Sequence, residues 1–190
     1  MEFTPLGIDG AWVATSKLHS DERGNFREWF KRSEINEKTG IDFQVEQSNV
    51  SSSNRGVIRG IHYSLVEGGQ SKWVTCVNGR IIDFVVDIRP SSPTFLKSEA
   101  VELSEGGARA VFVGPGLGHG FIAIEDGSTV SYLLSSPYSP EYEFEINPMD
   151  SKLGIDWRLD LLGPSGIILS QKDATAPSLD DRLAEGRLPK

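Results

Sequence analysis

The chain of 190 residues has little of what several protein classes depend on. It has a single cysteine, Cys76, so an intramolecular disulfide is excluded, and no apolar run approaches the roughly 20 residues that a membrane helix needs. Its N-terminus, Met1-Glu2-Phe3-Thr4-Pro5, has neither the basic nor the apolar region of a secretory signal. We therefore expect a cytoplasmic protein with no membrane partner.

Positive charge is also scarce. The chain has 19 Lys and Arg residues against 27 Asp and Glu residues, which gives a net charge of −8. Proteins that bind nucleic acid usually present a basic face, so a nucleic-acid partner is not expected. An anionic substrate would have to be met by a local cluster of cations.

Cofactor and metal motifs are missing as well. No Gly-x-Gly-x-x-Gly turn opens a predicted helix, so the fingerprint of dinucleotide binding is absent. Of the three histidines, His62 has no second histidine two residues away, where a chelating pair on one strand face would need it. We expect neither a metal nor a cofactor. The alternative, a metal-dependent barrel, predicts stoichiometric metal in elemental analysis of the purified protein.

Short β-prone segments separated by turn residues make up most of the chain. The dipeptides Asn78-Gly79 and Asp126-Gly127 favour primed turns, so each predicts a hairpin between its flanking segments. Many short strands and little helix predict an all-β sandwich or barrel. We see no linker or repeat and expect one domain that spans residues 1–190.

Helices are predicted at only two places. One is short, capped by Ser33 and stopped at Gly40; the other begins at Ser178, within a helical tail of about residues 178–190. Between them, residues 51–54 are predicted to form a polar loop that leads into the central segment.

That central segment, residues 55–63 with 70–73, contains most of the chemically active side chains. Burial of a cation is costly unless it meets an opposite charge, so Arg59 and Lys72 should face a carboxylate or an anionic ligand. In an ideal strand Arg59 and His62 point to opposite faces. Both line one pocket only if Gly60 marks a bulge or a twist.

His62 is the candidate general base, because an imidazole titrates near neutral pH and is steadied by a carboxylate. By residue type the candidate carboxylates are Asp83, Asp87 and Asp173. Lys72 is suited to stabilise a developing enolate oxygen. The candidate hydroxyls that would return a proton on the opposite face are those of Tyr132 and Tyr138.

Seven motifs occur in register between about Gly10 and Pro177. They are Asp21-Glu22-Arg23-Gly24 with Glu28, Gln47-Ser48-Asn49-Val50-Ser51, Gly56-Val57-Ile58-Arg59-Gly60-Ile61-His62, Gln70-Ser71-Lys72, Val86-Asp87-Ile88-Arg89 with Ser92-Pro93-Thr94-Phe95, Gly118-His119-Gly120-Phe121 and Tyr138-Ser139-Pro140-Glu141. In order and spacing they closely resemble the dTDP-4-dehydrorhamnose 3,5-epimerase family, and such a series is far more specific than any one motif.

This resemblance implies a cupin-type jelly-roll barrel, all-β with short peripheral helices, without metal or cofactor. It also implies a homodimer to which the N-terminal strands, within about residues 1–50, contribute. The implied catalytic residues are His62 as base, Asp173 as its partner, Tyr132 as general acid and Lys72 near the ketone oxygen. The residues that it places around the nucleotide sugar are Arg23, Phe26, Glu28, Gln47, Asn49, Arg59, His119, Tyr138, Glu143 and Lys172.

The function that the resemblance implies is conversion of dTDP-4-dehydro-6-deoxy-D-glucose to dTDP-4-dehydro-L-rhamnose. Related enzymes of antibiotic deoxysugar pathways share the scaffold, and some invert only C3 or only C5. An alternative of another class is a non-catalytic cupin that binds sugar nucleotides. It predicts ligand binding without exchange of solvent protons at the sugar.

Overall fold

The computed structural model describes residues 1–190, which form thirteen strands and three α-helices. The strands are β1 (Glu2–Pro5), β2 (Ala11–Thr15), β3 (His19–Asp21), β4 (Gly24–Phe26), β5 (Gln47–Ser53), β6 (Ile58–Ser64), β7 (Lys72–Asn78), β8 (Arg80–Asp87), β9 (Ser98–Ser104), β10 (Arg109–Val113), β11 (Leu117–Ala123), β12 (Ser128–Leu134) and β13 (Glu143–Glu145). The helices are α1 (Arg32–Thr39), α2 (Gln171–Ala174) and α3 (Leu179–Ala184). None of them has the length and apolar character needed to span a bilayer.

Eleven strands form two antiparallel sheets packed face to face. The first sheet has the order β1-β2-β10-β7-β12-β5 and the second has the order β13-β6-β11-β8-β9. β3 and β4 pair only with each other. Because the chain crosses repeatedly from one sheet to the other, the architecture is a jelly roll, and the predicted cupin-type all-β fold is confirmed.

Side chains along the strands face alternately inward and outward, and both sets contribute to the core. On β7, Val74 faces the space between the sheets, whereas Trp73 packs on the outer face of the first sheet beneath the segment that contains α1. On β8, Val85 faces inward, while the ring of Phe84 packs outward at 4.8 Å from that of Trp157 in the C-terminal segment. An opening between the two sheets lies near β5 and β6.

Both predicted hairpins are wrong. Asn78-Gly79 joins β7 of the first sheet to β8 of the second, and Asp126-Gly127 lies between β11 of the second sheet and β12 of the first. Gly79 and Gly127 do have the positive φ that such dipeptides favour, 71° and 72°. A tight turn with positive φ does not decide whether its flanking strands pair or diverge. Here they diverge, and each turn is a corner between the sheets.

Three local predictions have mixed outcomes. Residues 51–53 belong to β5 rather than to a loop, because they pair with β12. α1 begins at Arg32, so Ser33 lies inside the helix and is not its cap, although Gly40 ends the helix in the left-handed conformation as predicted. Ser178 caps α3 and forms a capping box with Asp181, which confirms the C-terminal helix.

Asp87 holds together the connection between β8 and β9. Its fully buried carboxylate accepts hydrogen bonds from the guanidinium of Arg89 at 2.8 and 2.9 Å, and from the hydroxyls of Ser92 and Thr94 at 2.5 and 2.6 Å. Burial by itself would raise the pKa of Asp87. These donors outweigh burial and hold the pKa well below its ordinary value.

Asp87→Asn is expected to lower the free energy of unfolding by about 3 kcal/mol at pH 7. The reason is that it removes the negative charge from the buried, hydrogen-bonded ion pair of Asp87 with Arg89. The depressed folded-state pKa means that this contribution is fully present above the unfolded pKa of about 3.9 and is lost progressively as the pH falls from there through the much lower folded-state pKa. Urea unfolding at pH 7 and pH 2 measures both values. Asp180→Asn, on an exposed carboxylate, is the control. An equal loss at the two pH values would contradict the assignment.

Candidate active site

A cavity of about 480 Å³ opens between the two sheets. Strands β5, β7 and β12 of the first sheet supply one wall, β6 and β13 of the second sheet supply the other, and residues 168–173 close one side. Its volume lies in the range of small-molecule sites. The predicted site residues that line it are Gln47, Asn49, Arg59, His62, Lys72, Tyr132, Tyr138, Glu143, Lys172 and Asp173.

Arg59 and His62 reach the same cavity because β6 contains a bulge. His62 pairs with His119 on β11, whereas Arg59 pairs with Phe121, so three steps along β6 match two along β11. Gly60 lies within the bulge at φ 142°, and a Cβ there would come within 2.7 Å of the backbone of β11. The predicted bulge is confirmed, and glycine is required at its centre.

His62 is paired with a carboxylate. Its Nε2 lies 2.8 Å from Oδ1 of Asp173, which is buried in α2. Ser170 caps this single helical turn by accepting a hydrogen bond from the Asp173 amide. Burial would raise the pKa of Asp173, but the hydrogen bond and charge of His62 outweigh it, so the pKa lies below its ordinary value. Asp173 is therefore ionised at neutral pH and suited to orient the imidazole.

The other two candidate carboxylates have different partners. Asp83 lies on β8 within the sandwich, and its Oδ2 is 2.8 Å from Nε2 of His119. Asp87 is engaged by Arg89. Of the three aspartates that the sequence left open, Asp173 is the one that contacts His62.

Lys72 is a buried cation in the cavity wall, 9% exposed. Burial lowers the pKa of its ammonium, and the charges of Glu143 and Asp83 oppose this effect from a distance. An ammonium in such a position is stabilised further by an anionic oxygen in the cavity. The expectation of a buried cation facing an anionic ligand therefore fits Lys72.

Arg59 differs from that expectation, because it is exposed rather than buried although it lines the cavity. Its Nε donates to the Ser53 hydroxyl at 3.1 Å and its Nη2 to the Ser52 carbonyl at 3.2 Å. Both acceptors are neutral. The charge of the guanidinium is thus left for a ligand.

The two candidate tyrosines differ in position. Tyr132 is half-buried on β12, in the wall opposite the one that carries His62. Tyr138 follows β12, is 58% exposed, and donates its backbone N–H to Oε1 of Gln47 at 2.7 Å. Because β12 and β6 belong to different sheets, Tyr132 and His62 approach a bound ligand from opposite sides.

Four of the predicted substrate-binding residues do not line this cavity. His119 lies behind it, paired with Asp83. Arg23 and Phe26 belong to the β3–β4 hairpin, and Glu28 follows it. The side chain of Arg23 is 86% exposed and Phe26 is 70% exposed. The hairpin therefore presents these residues away from the chain's own cavity.

Sequence reasoning missed the apolar part of the wall. Leu134, Phe144 and Leu169 line the cavity, and so does Gln70, whose Nε2 donates to Glu143 Oε1 at 3.3 Å. Gln70 stands in one of the seven motifs, which was the available signal for it. In a sequence, an apolar residue of a cavity wall cannot be told from an ordinary core residue. Leu134, Phe144 and Leu169 therefore gave no signal.

The fold and the cavity together define a class: a cupin-type barrel with groups for acid–base chemistry on two facing walls. These groups are a histidine–carboxylate pair, a tyrosine and a buried lysine. No group of three or more His, Cys, Asp or Glu side chains is arranged to hold a metal ion.

Comparison with known proteins places the chain within this class. The family model of dTDP-4-dehydrorhamnose 3,5-epimerase matches residues 5–181. The chain is 46% identical over 184 residues to the dTDP-4-dehydrorhamnose 3,5-epimerase of Mycolicibacterium smegmatis, which covers 97% of this chain and 89% of that protein. The chain belongs to the dTDP-4-dehydrorhamnose 3,5-epimerase family, and it is an isomerase of the epimerase type.

Solved structures agree with this assignment. An epimerase of Mycobacterium tuberculosis superposes with a TM-score of 0.96 at 42% identity, covering 100% of this chain and 94% of that one. A 3'-monoepimerase of Streptomyces bikiniensis, in complex with dTDP-quinovose, superposes with a TM-score of 0.91 at 41% identity, covering 98% and 92%. The chain is thus similar both to a 3,5-epimerase and to a 3'-monoepimerase.

Proposed function

We propose that this chain inverts both C3 and C5 of dTDP-4-dehydro-6-deoxy-D-glucose and so forms dTDP-4-dehydro-L-rhamnose. One observation carries the proposal: the His62–Asp173 pair and Tyr132 lie on opposite walls of one cavity. Inversion at carbon needs a proton removed from one face and returned on the other, which two facing groups are placed to do.

The chemistry follows from the acidity of carbons next to a ketone. His62 removes the proton from C3 or C5, and the C–H electron pair moves into an enolate whose negative charge rests on O4. Lys72 stabilises that oxygen, and Tyr132 donates a proton to the opposite face. The imidazolium then loses its proton to solvent and the phenolate regains one. No electron leaves the substrate, so no redox partner is needed.

The nucleotide part meets the polar end of the cavity. The guanidinium of Arg59 has only neutral protein acceptors, so its planar fork is free to bind diphosphate oxygens. Gln47 and Asn49 of β5 also line the cavity, and the Gln47 side-chain amide donates to Asn49 Oδ1 at 3.0 Å. Together they offer polar contacts for the nucleotide sugar.

Arg59→Ala is expected to weaken dTDP binding by about 10- to 100-fold, the effect of losing charge-assisted hydrogen bonds to an anion. Isothermal titration with dTDP measures this. Arg158→Ala is the matched control, since Arg158 pairs with Asp160 outside the cavity. An affinity unchanged from that of the parent chain would remove Arg59 from the diphosphate site.

We also infer a homodimer in which the β3–β4 hairpin reaches the cavity of a second copy. The hairpin pairs with no other strand of its own chain, and it carries the exposed Arg23 and Phe26. This arrangement would bring Arg23, Phe26 and Glu28 to a nucleotide. Sedimentation equilibrium tests it: the expected mass is twice 20.8 kDa, and a monomer at micromolar concentration would contradict it.

A second candidate function is single epimerisation, which the likeness to the 3'-monoepimerase favours. The deciding experiment is proton NMR of dTDP-4-dehydro-6-deoxy-D-glucose with the protein in D2O, with reduction of the product to fix its configuration. Loss of the C3 and C5 signals with a rhamno-configured product supports double epimerisation. Loss of one signal indicates a mono-epimerase, and dTDP binding without exchange indicates a non-catalytic binder.

A further inference from the structure

Glu145 lies directly beside the His62–Asp173 pair although it does not line the cavity. It ends β13, and its register partner on β6 is His62. Its Oε2 is 2.9 Å from Nζ of Lys172, and its Oε1 is 3.6 Å from the guanidinium of Arg182. The carboxylate therefore lies between two cations at the edge of the catalytic wall.

Arg182 keeps this carboxylate in place. It is buried, 8% exposed, and its Nε donates to the Glu145 carbonyl at 2.9 Å. Its Nη1 donates to Glu185 at 2.9 Å, and its guanidinium carbon lies 5.3 Å from the centre of the Phe144 ring. Glu145 is thus a fixed acceptor rather than a mobile surface acid.

The ion pair of Lys172 with Glu145 is too exposed to be what holds α2 to the barrel. The Lys172 side chain is 59% exposed, and ion pairs of that kind add little stability. α2 has other attachments: the side-chain amide of Asn147 donates a hydrogen bond to the Ala174 carbonyl, and Ile168, just before the helix, forms a β-bridge with Val57. The pair therefore acts by fixing the position of the Lys172 ammonium, not by anchoring the helix.

Lys172 immediately precedes Asp173, and both line the cavity. Next to Glu145, Asp173 is the other carboxylate whose charge acts on the Lys172 ammonium. We propose that Glu145 is a positioning residue, which holds the Lys172 ammonium away from Asp173 so that the Asp173 carboxylate stays committed to His62. Without Glu145, the ammonium would compete with His62 for that carboxylate.

The kinetic test rests on the proposed function and uses a double-mutant cycle. Glu145→Gln is expected to lower kcat about tenfold, because a small displacement of a catalytic group is costly, while dTDP affinity changes less than about twofold. Lys172→Met should lower kcat less, since no ammonium then competes for Asp173. Glu145→Gln combined with Lys172→Met should have the kcat of Lys172→Met alone.

Asp180→Asn removes the acid from another exposed ion pair, with Lys152, and serves as the matched control with unchanged kcat. A double variant as slow as Glu145→Gln, or an unaltered kcat in Glu145→Gln, would overturn the proposal.

A structural test does not depend on activity. In a ligand-free crystal structure of Glu145→Gln, Lys172 Nζ is expected within hydrogen-bond distance of the Asp173 carboxylate, with the His62–Asp173 separation longer than the present 2.8 Å. Lys172 in solvent with that separation unchanged would overturn the positioning role. If the expected shift occurs but the parent chain shows no proton exchange, the proposed function fails and the positioning role of Glu145 remains.

Discussion

Replacing His62 by asparagine is expected to slow solvent exchange at C3 and at C5 together, by about 10²- to 10⁴-fold, the usual contribution of a general base. His62 is the imidazole that lines the cavity, and it is paired with an ionised carboxylate. One base serving both carbons requires the two rates to fall in parallel. Proton NMR in D2O follows both signals in one experiment. Affinity for dTDP should stay within about twofold, because the imidazole is not part of the diphosphate site.

Asp173→Asn is the companion variant. The substitution keeps the shape of the side chain but removes the charge that steadies the imidazolium, so a large loss of rate is expected. If Asp173 acts only through His62, the double variant is no slower than His62→Asn alone. A further loss in the double variant would show an independent role for Asp173. Loss of exchange at C3 alone, or at C5 alone, would show that a second base exists.

The identity of the carboxylate partner shows where sequence reasoning stopped. Three aspartates were equivalent by residue type, and spacing along the chain did not separate them. The choice depends on a contact between positions 62 and 173, across 111 residues, made by a single turn at the edge of the second sheet. Only the resemblance to a family pointed to Asp173. A contact over such a distance has no local signature in a sequence.

The turn at Asn78-Gly79 shows that sheet pairing, too, has no local signature in a sequence. Asn78-Gly79 correctly predicted a positive φ at Gly79, because that preference belongs to the dipeptide itself. It wrongly predicted pairing of β7 with β8, because pairing is decided by which apolar faces meet. β8 is buried on both faces and lies between β11 and β9. The turn conformation and the Gly60 bulge were therefore predictable, whereas the sheet order was not.

Tyr132→Phe is expected to separate exchange from inversion. Without the phenolic proton, the enolate formed by His62 is reprotonated by His62 itself on the original face. Deuterium then enters C3 and C5 while the configuration is retained. Inversion should fall by about 10²- to 10⁴-fold and exchange by far less, since only the general acid has been removed. Proton NMR in D2O gives the exchange rate, and reduction of the recovered sugar gives its configuration.

Two further variants make this result specific. Tyr142→Phe is the matched control, because Tyr142 is exposed and does not line the cavity. Tyr138→Phe tests the other donor that the sequence allowed. Tyr138 is 58% exposed and follows β12, whereas Tyr132 lies within that strand and faces the wall of His62, so Tyr138→Phe should leave inversion coupled to exchange. A parallel loss of exchange and inversion in Tyr132→Phe would mean that the tyrosine helps to form the enolate. Retained inversion in Tyr132→Phe would show that another group acts as the general acid.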